Sequence, residues 1–561
     1  MLISDDQLKK LVLNVNLLDQ KNLDLIEQYS KNSGISLTDA LIEKDVVSDE
    51  KLGILIADYL KIPFIILSKI SIPDEVFKII PERVARKYKA IPFERTKDTI
   101  KVALPETSNP LVAEMIQRKT GQKVTTFLAT ERDIYNKLWI YRSDLQKTFD
   151  TLISEQLKSA GKSPTADAPI AKIVDLVIKY AYQDLTSDIH IEPSEKETLV
   201  RFRIDGILHD VLSLPIHLHD QIITRIKVLS SLRTDEHMTP QDGKMRIELE
   251  EENLDIRVSI LPIVYGEKVV MRLLASHFRQ FSLVDLGMSQ GDLDKITKGF
   301  SKSFGMVLST GPTGSGKTTS IYSVLKIINS REKNITTIED PVEYRMKGVN
   351  QIQTNARAEL TFASGLRSIL RQDPNIIFVG EIRDSETAGI AVNAALTGHL
   401  VLSTLHTNDA AGALPRLTDM HIEPFLVAST VNVIIAQRLI RKICEMCKAS
   451  VEVKMEELLQ NLPEEAVKKH FGQTKSPRIY KGSGCEVCHS TGYSGRIGIF
   501  EVLEVSGEIK KLITQKNDAN AILAQAVKEG MVTMLDDGLM KVRQGLTSIE
   551  EVLRVTKIES L

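Results

Sequence analysis

Aromatic residues make up only 5% of the 561 residues. That scarcity argues against the stacking platforms on which single-stranded nucleic acid is bound. Charge of one sign is lacking too. The 72 Lys and Arg stand against 74 Asp and Glu, a net charge of −2, so no global basic field draws the chain to DNA or to lipid. No uncharged apolar run reaches the roughly 18 residues of a membrane span. The start, Met1-Leu2-Ile3-Ser4-Asp5-Asp6, has neither a basic segment nor a long apolar one, so no secretion signal is expected. What remains is ordinary for a soluble globular protein, with 42% apolar and 26% charged residues. The length exceeds what one hydrophobic core organises, and three or four domains are expected.

Against this background one stretch stands out. Gly311-Pro312-Thr313-Gly314-Ser315-Gly316-Lys317-Thr318-Thr319 fits G-x-x-x-x-G-K-[ST] at every fixed position. The apolar run Met306-Val307-Leu308 before it reads as a buried strand, and Ser320 to Ile328 after it has helical spacing. Strand, glycine loop and helix together form the context in which backbone N–H groups close around a phosphate chain at a helix N-terminus. Lys317 is expected to reach the β and γ phosphates of ATP, and Thr318 to hold Mg²⁺.

Before this motif the chain divides by composition. Residues 1–60 read as a small helical bundle of two helix–turn–helix units. Leu8, Leu11, Val12, Val15 and Leu18 fall near a 3.6 period, and Asp19 and Ser48 are N-cap candidates. Residues 61–140 read as a mixed α/β unit, with a strand at Thr99–Leu104 and a helix from Leu111 to Arg118 that stops near Gly121. Residues 141–168 are a linker, small and polar around Ser159 to Ala168. Residues 169–288 form a second α/β domain. It opens on an amphipathic helix from Ile170 to Tyr182 and has strands around Asp188–Pro193 and Leu199–Ile204, with a hairpin at Asp205-Gly206 and a helix from Gln221 to Leu232. Two further strand pairs contain Leu254–Ser259 and Lys268–Leu273. Arg201, Arg203, Arg257 and Arg272 alternate with apolar residues, so each lies on a definite sheet face, where a solvated edge is the alternative to a role in a site.

Residues 289–561 carry the phosphate loop and further chemistry. Ile335–Ile338 reads as a strand running into Glu339-Asp340-Pro341-Val342-Glu343, Ile376–Gly380 as a strand ending in Glu381, and Leu400–Leu405 as a strand flanked by His399 and His406. Parallel strands ending in Glu343, Glu381 and His406 would converge on one phosphate pocket. Cysteine is limited to Cys444-x-x-Cys447 and Cys485-x-x-Cys488, separated by the 37 residues 448–484. In a reducing compartment two such pairs suit one tetrahedral Zn²⁺, although the gap exceeds that of compact zinc ribbons and four buried thiols are the alternative.

Taken together, the glycine loop, Thr337–Glu343, Val379–Asp384 and Thr397–Asn408 resemble the Walker A, Asp box, Walker B and His box of the secretion ATPase superfamily. Ser187–Pro193, Arg201–Gly206 and Gly266–Arg272 are similar to the domain that precedes the motor there. The resemblance is strong over about 170–561 and looser around Ile62-Pro63-Phe64 and Ile79–Glu82. It implies an α/β fold: a RecA-like P-loop motor domain preceded by a PAS-like α/β domain, with a helical and mixed N-terminal region. A zinc-binding insertion at about 440–495, between Gln437-Arg438-Leu439 and Gly495–Ile499, resembles that of pilus-extension and type II secretion ATPases. The implied protein is a cytoplasmic homo-hexameric ATPase, peripheral to the inner membrane and without nucleic acid. It would work on an inner-membrane platform protein and a cytoplasmic-ring adaptor to drive pilin assembly, or pseudopilin assembly in type II secretion. By the same resemblance Glu343 positions or activates water, Glu381 supports Mg²⁺ and the water, and His406 belongs to the site. Arg257 and Arg272 reach the γ-phosphate, and Arg367 and Arg371 act across a subunit interface. The rival functions are a nucleic-acid motor and a sensor of cyclic di-GMP at the N-terminus, where Lys44-Asp45 and Tyr59 stand in place of the Arg, Gly and Gln that bind it in some relatives.

Overall fold

The computed structural model describes residues 3–15, 17–33, 36–44, 46–106, 110–138, 149–151, 170–249, 252–275, 282–472, 477–485 and 488–556. Most of the expected linker, including Gly161 to Pro169, lies outside the described residues.

Four helices open the chain: Asp5–Asn14, Gln20–Ser33, Leu37–Glu43 and Asp49–Leu60. Each begins where a short polar side chain accepts an otherwise unpaired N–H. Ser4 takes Gln7, Asp19 takes Asn22, Ser36 takes Asp39 and Ser48 takes Lys51. Leu8, Leu11 and Val12 are buried as the periodicity predicts. Val15 is not: it follows the last helical residue, Asn14, and is 45% exposed.

A three-stranded sheet follows, with β1 at Ile91–Arg95, β2 at Thr99–Leu104 and β3 at Lys123–Leu128. The antiparallel β1–β2 pair is joined by a parallel β2–β3 pair. Between the latter runs the helix Leu111–Thr120, closed by Gly121 at φ 72°, a left-handed position that suits glycine.

The second sheet is antiparallel throughout. Its strands are β4 Asp188–Pro193, β5 Glu197–Ile204, β6 Ile207–Pro215, β7 Gln241–Glu248, β8 Asn253–Ile263 and β9 Gly266–Leu274. Their order is β6-β5-β4-β9-β8-β7. The Asp205-Gly206 hairpin lies between β5 and β6 as expected. The two further strand pairs share a strand, because β8 pairs with both β7 and β9. Helices Ile170–Gln183 and His219–Leu229 cover one face, with Ile173, Val177, Ile222 and Ile226 in the same core as Ile191, Val200 and Met271. The second helix starts earlier and ends earlier than its apolar pattern suggests, since Ser230 already leaves it.

The third sheet holds β10 Gly305–Thr310, β11 Ile335–Glu339, β12 Asn350–Gln353, β13 Ile376–Val379, β14 Leu400–Leu405, β15 Val431–Ile443 and β18 Tyr493–Glu504, in the order β12-β11-β13-β14-β10-β15-β18. All pairs are parallel except β15–β18. The strands β10, β13 and β14 are buried on both faces, which is why they read as apolar runs, whereas the edge strand β12 is polar and partly exposed. Met306 and Leu308 face one core, while Val307 faces another that holds the helix Lys317–Ile328. Leu283 and Met288 already pack in that second core. Between β15 and β18 the chain makes the pair β16 Lys448–Glu452 and β17 Arg478–Gly482 with helices Met455–Asn461 and Glu464–Phe471.

The three parts touch at defined points. The Lys44 ammonium donates to the carbonyls of Lys326, Ile327 (2.9 Å) and Asn329 (3.0 Å) at the C-terminal end of Lys317–Ile328. It supplies donors and positive charge where a helix leaves carbonyls unpaired. Asp45 lies outside the described residues. Asp205 accepts the Gly495 N–H at 2.6 Å, tying the β5–β6 turn to β18.

Candidate functional site

The segment 311–316 connects β10 to the helix Lys317–Ile328. Gly311, Gly314 and Gly316 hold φ of 143°, 78° and 90°, values that a side chain resists. Gly311 is also fixed by space, since a Cβ there would come within 2.4 Å of the Gln437 carbonyl. The Lys317 ammonium turns back into the loop, donating to Gly311 O at 2.8 Å and Pro312 O at 3.1 Å. Burial lowers its pKa, against the raising effect of the Glu381 charge. Gln437, on β15, donates to Ser315 O at 2.8 Å and so braces the loop from below. In the sequence Gln437 marks only the start of the insertion.

Thr313 to Thr319 line a cleft of about 2160 Å³ together with Glu343, Glu381, His406 and Arg272. Glu381 follows β13 and His406 follows β14, as expected of adjacent parallel strands. The His406 Nε2 lies 3.1 Å from the Glu381 carboxylate, and Arg383 lies 2.6 Å from the same oxygen. His399 parts from this group. It precedes β14, at the end of the sheet away from the loop, and its Nδ1 sits 3.0 Å from Ala394 O. The two histidines bracket the strand, but only His406 lines the cleft.

Arg257 reaches from β8 to the loop beyond β11. Its guanidinium lies 3.0 Å from the Glu343 carboxylate and donates to Val342 O at 2.7 Å. Arg272, on β9, donates to Asp188 at 2.8 Å, and this hydrogen bond raises its pKa while burial opposes the shift. Arg203 is 3.6 Å from the same aspartate, whereas Arg201 turns to Glu192 at 2.7 Å. Arg367 and Arg371 are not brought to this cleft within one chain. Arg367 pairs with Glu386 on the surface, and Arg371 donates to Arg367 O at 3.0 Å and Ser368 Oγ at 3.1 Å.

The sequence reading missed Glu339, Tyr322 and Gln351 as site residues. Glu339 closes β11 and is 2% exposed. Its carboxylate accepts from Tyr322 Oη, from Thr337 Oγ1 at 2.6 Å and from Gln351 Nε2 at 3.3 Å. Burial raises its pKa, and these donors oppose the rise. The available signal was a second carboxylate at a strand's C-terminal end.

The four cysteines meet at the far end of the β15–β18 hairpin. Their sulfurs all lie within 4.8 Å of one another, with Cys444–Cys485 at 3.8 Å, Cys447–Cys488 at 3.9 Å and Cys485–Cys488 at 3.7 Å. A tetrahedron of thiolates about 2.3 Å from a zinc has edges of about 3.8 Å, so the geometry suits one four-thiolate ion. Burial pushes the Cys444 thiol up, which leaves a thiolate there in need of a cation. The long gap is filled by β16, β17 and their helices. Pairing of Lys448 with Gly482 returns the chain so that Ser483 N–H reaches Cys447 O at 3.0 Å.

Comparison with known proteins shows the family. The family described as Type II/IV secretion system protein matches residues 163–554, and the MshEN domain matches residues 60–139. The chain is 37% identical over 563 residues to the type IV pilus assembly ATPase PilB of Myxococcus xanthus, covering 98% of each. It is 38% identical to PilB of Pseudomonas aeruginosa, again over 98% of each. The type II secretion system ATPase E of Vibrio cholerae is 45% identical over 393 residues, 70% of this chain and 76% of that one. The X-ray structure of the Legionella pneumophila ATPase DotB superposes with a TM-score of 0.51 at 21% identity, over 70% of this chain and 97% of that one, a likeness of fold. The chain belongs to the type II/IV secretion system protein family of P-loop ATPases.

Proposed function

We propose that the chain is the assembly ATPase of a type IV pilus. The observation that carries this is the likeness to pilus assembly ATPases across 98% of both chains, N-terminal region included. A second reading, assembly of the pseudopilus in type II secretion, is favoured by the higher identity of the Vibrio cholerae relative over its shorter match. In either case the working unit is a homo-hexamer on the inner face of the cytoplasmic membrane, in contact with a platform protein and a ring adaptor. Among the described residues no helix is long and apolar enough to cross a membrane.

The division of labour follows from charge and position. Gly311 to Gly316, Lys317, Thr318 and Thr319 hold the phosphates of ATP, and Thr318 holds Mg²⁺, which neutralises phosphate charge when bound. Glu381, steadied by His406, supports the ion and the attacking water. Glu343 orients or activates that water. Arg257 is shared: it is held by Glu343, which lines the cleft. A γ-phosphate carries more charge than a carboxylate and competes for the guanidinium, so ATP binding would draw Arg257 and its sheet inward and release Glu343. Arg272 adds positive charge beside it. Arg367 and Arg371, exposed and remote from their own cleft, complete the site of a neighbouring subunit. Catalysis of phosphoryl transfer rests on such positioning and charge rather than on covalent chemistry. The units 1–60, 61–140, 169–288 and 289–561, joined through the linker 141–168, are the bodies that move. Cys444, Cys447, Cys485 and Cys488 hold a structural Zn²⁺.

Three measurements test this reading. Deleting the gene in its host should remove surface pili and leave protein secretion intact. A wild-type copy should restore pili and a Lys317→Ala copy should not; loss of secretion with pili retained would favour the pseudopilus instead. For the hexamer, Arg371→Ala and Lys317→Ala chains should each be nearly inactive. Mixed, they should recover part of the rate, because an intact Lys317 then borrows an intact Arg371 from its neighbour. Finger arginines supplied in this way give on the order of 10³–10⁵ in rate elsewhere. Mixed rings without activity would remove Arg371 from the interface. For the metal, elemental analysis of protein purified without chelator should give about one zinc per chain. Cys444→Ser should lose the zinc and melt at a lower temperature, and metal-free wild-type protein would refute the site.

A further inference from the structure

The loop that carries Glu343 is held from below as well as by Arg257 above. Tyr322 lies in the second turn of the helix Lys317–Ile328, whose first turn presents Lys317 and Thr318 to the cleft. It is fully buried. Its hydroxyl donates to Glu339, the last residue of β11, and its ring meets Tyr344 edge-on with centroids 4.6 Å apart. Gln351, on β12, donates to Glu339 at 3.3 Å and to Tyr344 O at 3.1 Å, and it accepts the Met346 N–H at 2.7 Å. The segment 340–346, with Glu343 at its centre, is thus fastened at its start by Glu339 and at its end by Tyr344 and Met346. Both fastenings lead to one aromatic side chain on the phosphate-binding helix.

We infer that Tyr322, Glu339 and Gln351 are positioning residues that set Glu343 against the nucleotide, with Tyr322 carrying the placement of the phosphate-binding helix to the loop of Glu343. The inference rests on the reading of Glu343 as the group that orients or activates water. Its physical basis is the cost of leaving the network incomplete. Glu339 makes no ion pair among the described residues, and three donors satisfy its buried carboxylate. A buried carboxylate that loses a donor must take up a proton or move. Movement shifts the end of β11, four residues before Glu343, and protonation changes the charge that faces the Glu343 carboxylate. A carboxylate that must meet one water tolerates little displacement, because misplacement by about 1 Å costs on the order of a hundredfold in rate. The direction of the Glu339 pKa agrees with this: burial raises it, the three donors lower it, and the charge of Glu343 raises it again.

The test uses the full chain and compares Tyr322→Phe, Glu339→Gln, Gln351→Leu, Glu343→Gln and the double variant Tyr322→Phe with Glu343→Gln. Steady-state ATP hydrolysis gives kcat, and equilibrium binding of a non-hydrolysable ATP analogue reads the phosphate loop separately. Tyr322→Phe preserves volume and should lower kcat by roughly ten- to a hundredfold, with analogue affinity within about twofold of wild type. Glu339→Gln keeps a carbonyl oxygen that accepts from Tyr322 and should fall between wild type and Tyr322→Phe. Gln351→Leu probes the same network from β12 and should lower kcat in the same selective way. The double variant should be no slower than Glu343→Gln alone, because Tyr322 acts through that residue. Affinity falling in step with kcat, or losses that add in the double variant, would make Tyr322 a support of the phosphate loop and overturn the inference. Wild-type kcat in Tyr322→Phe and Gln351→Leu beside an impaired Glu343→Gln would overturn the positioning role alone. Wild-type kcat in Glu343→Gln would overturn the role of Glu343 and the positioning role with it.

Discussion

Arg257 bridges the antiparallel and the parallel sheet through Glu343, which lines the nucleotide cleft. Arg257 is anchored on β8, yet its polar partners are Val342 O and Glu343 beyond β11. Each sheet has its own apolar core. What depends on Arg257 is their relation at the site. The ion pair is half-buried, so its strength lies between that of a screened surface pair and that of a desolvated one. Such a pair holds two bodies in register and still yields to a stronger anion. An interaction of intermediate strength between two bodies with separate cores is what a nucleotide-driven hinge requires.

The remaining connections are of a different kind. Lys44 meets the carbonyl end of the same helix whose amino end carries Lys317 and Thr318. Through Lys44 the N-terminal helices touch the carbonyl end of the phosphate-binding helix. Asp205 ties the β5–β6 turn to Gly495, just past the four cysteines. A metal holding those cysteines would make that end of the β15–β18 hairpin rigid and give the second sheet a firm pivot. In the proposed motion Arg257 near the cleft and Asp205 near the hairpin end would be the two sides of one hinge.

What could be read from the sequence was what is local. The glycine loop, the strand-end residues Glu381 and His406, the Asp205-Gly206 turn and the two cysteine pairs are each encoded within a few positions. Their spacing carries the chemistry before any tertiary contact is known. The zinc gap was harder, because only β16 and β17 explain how 37 residues can intervene and the sulfurs still meet. Tyr322, Gln351 and Gln437 were invisible as site residues. Each acts through side-chain hydrogen bonds to residues of other elements or loops, and a tyrosine or glutamine on an otherwise regular element has no pattern of its own. His399 flanks the same strand as His406 but lies apart from the site, because a strand of six residues separates its two ends by about 20 Å. Arg367 and Arg371 stay apart from their own cleft because any role for them there needs a second chain.

The central claim is that Arg257 exchanges Glu343 for the terminal phosphate of ATP. The most direct test is equilibrium binding of a non-hydrolysable ATP analogue and of ADP to Arg257→Ala. The account predicts that analogue affinity drops by roughly tenfold, ~1.4 kcal/mol, while ADP affinity is unchanged, since ADP has no γ-phosphate to take the guanidinium. Equal loss of both ligands, or no loss of either, would contradict it.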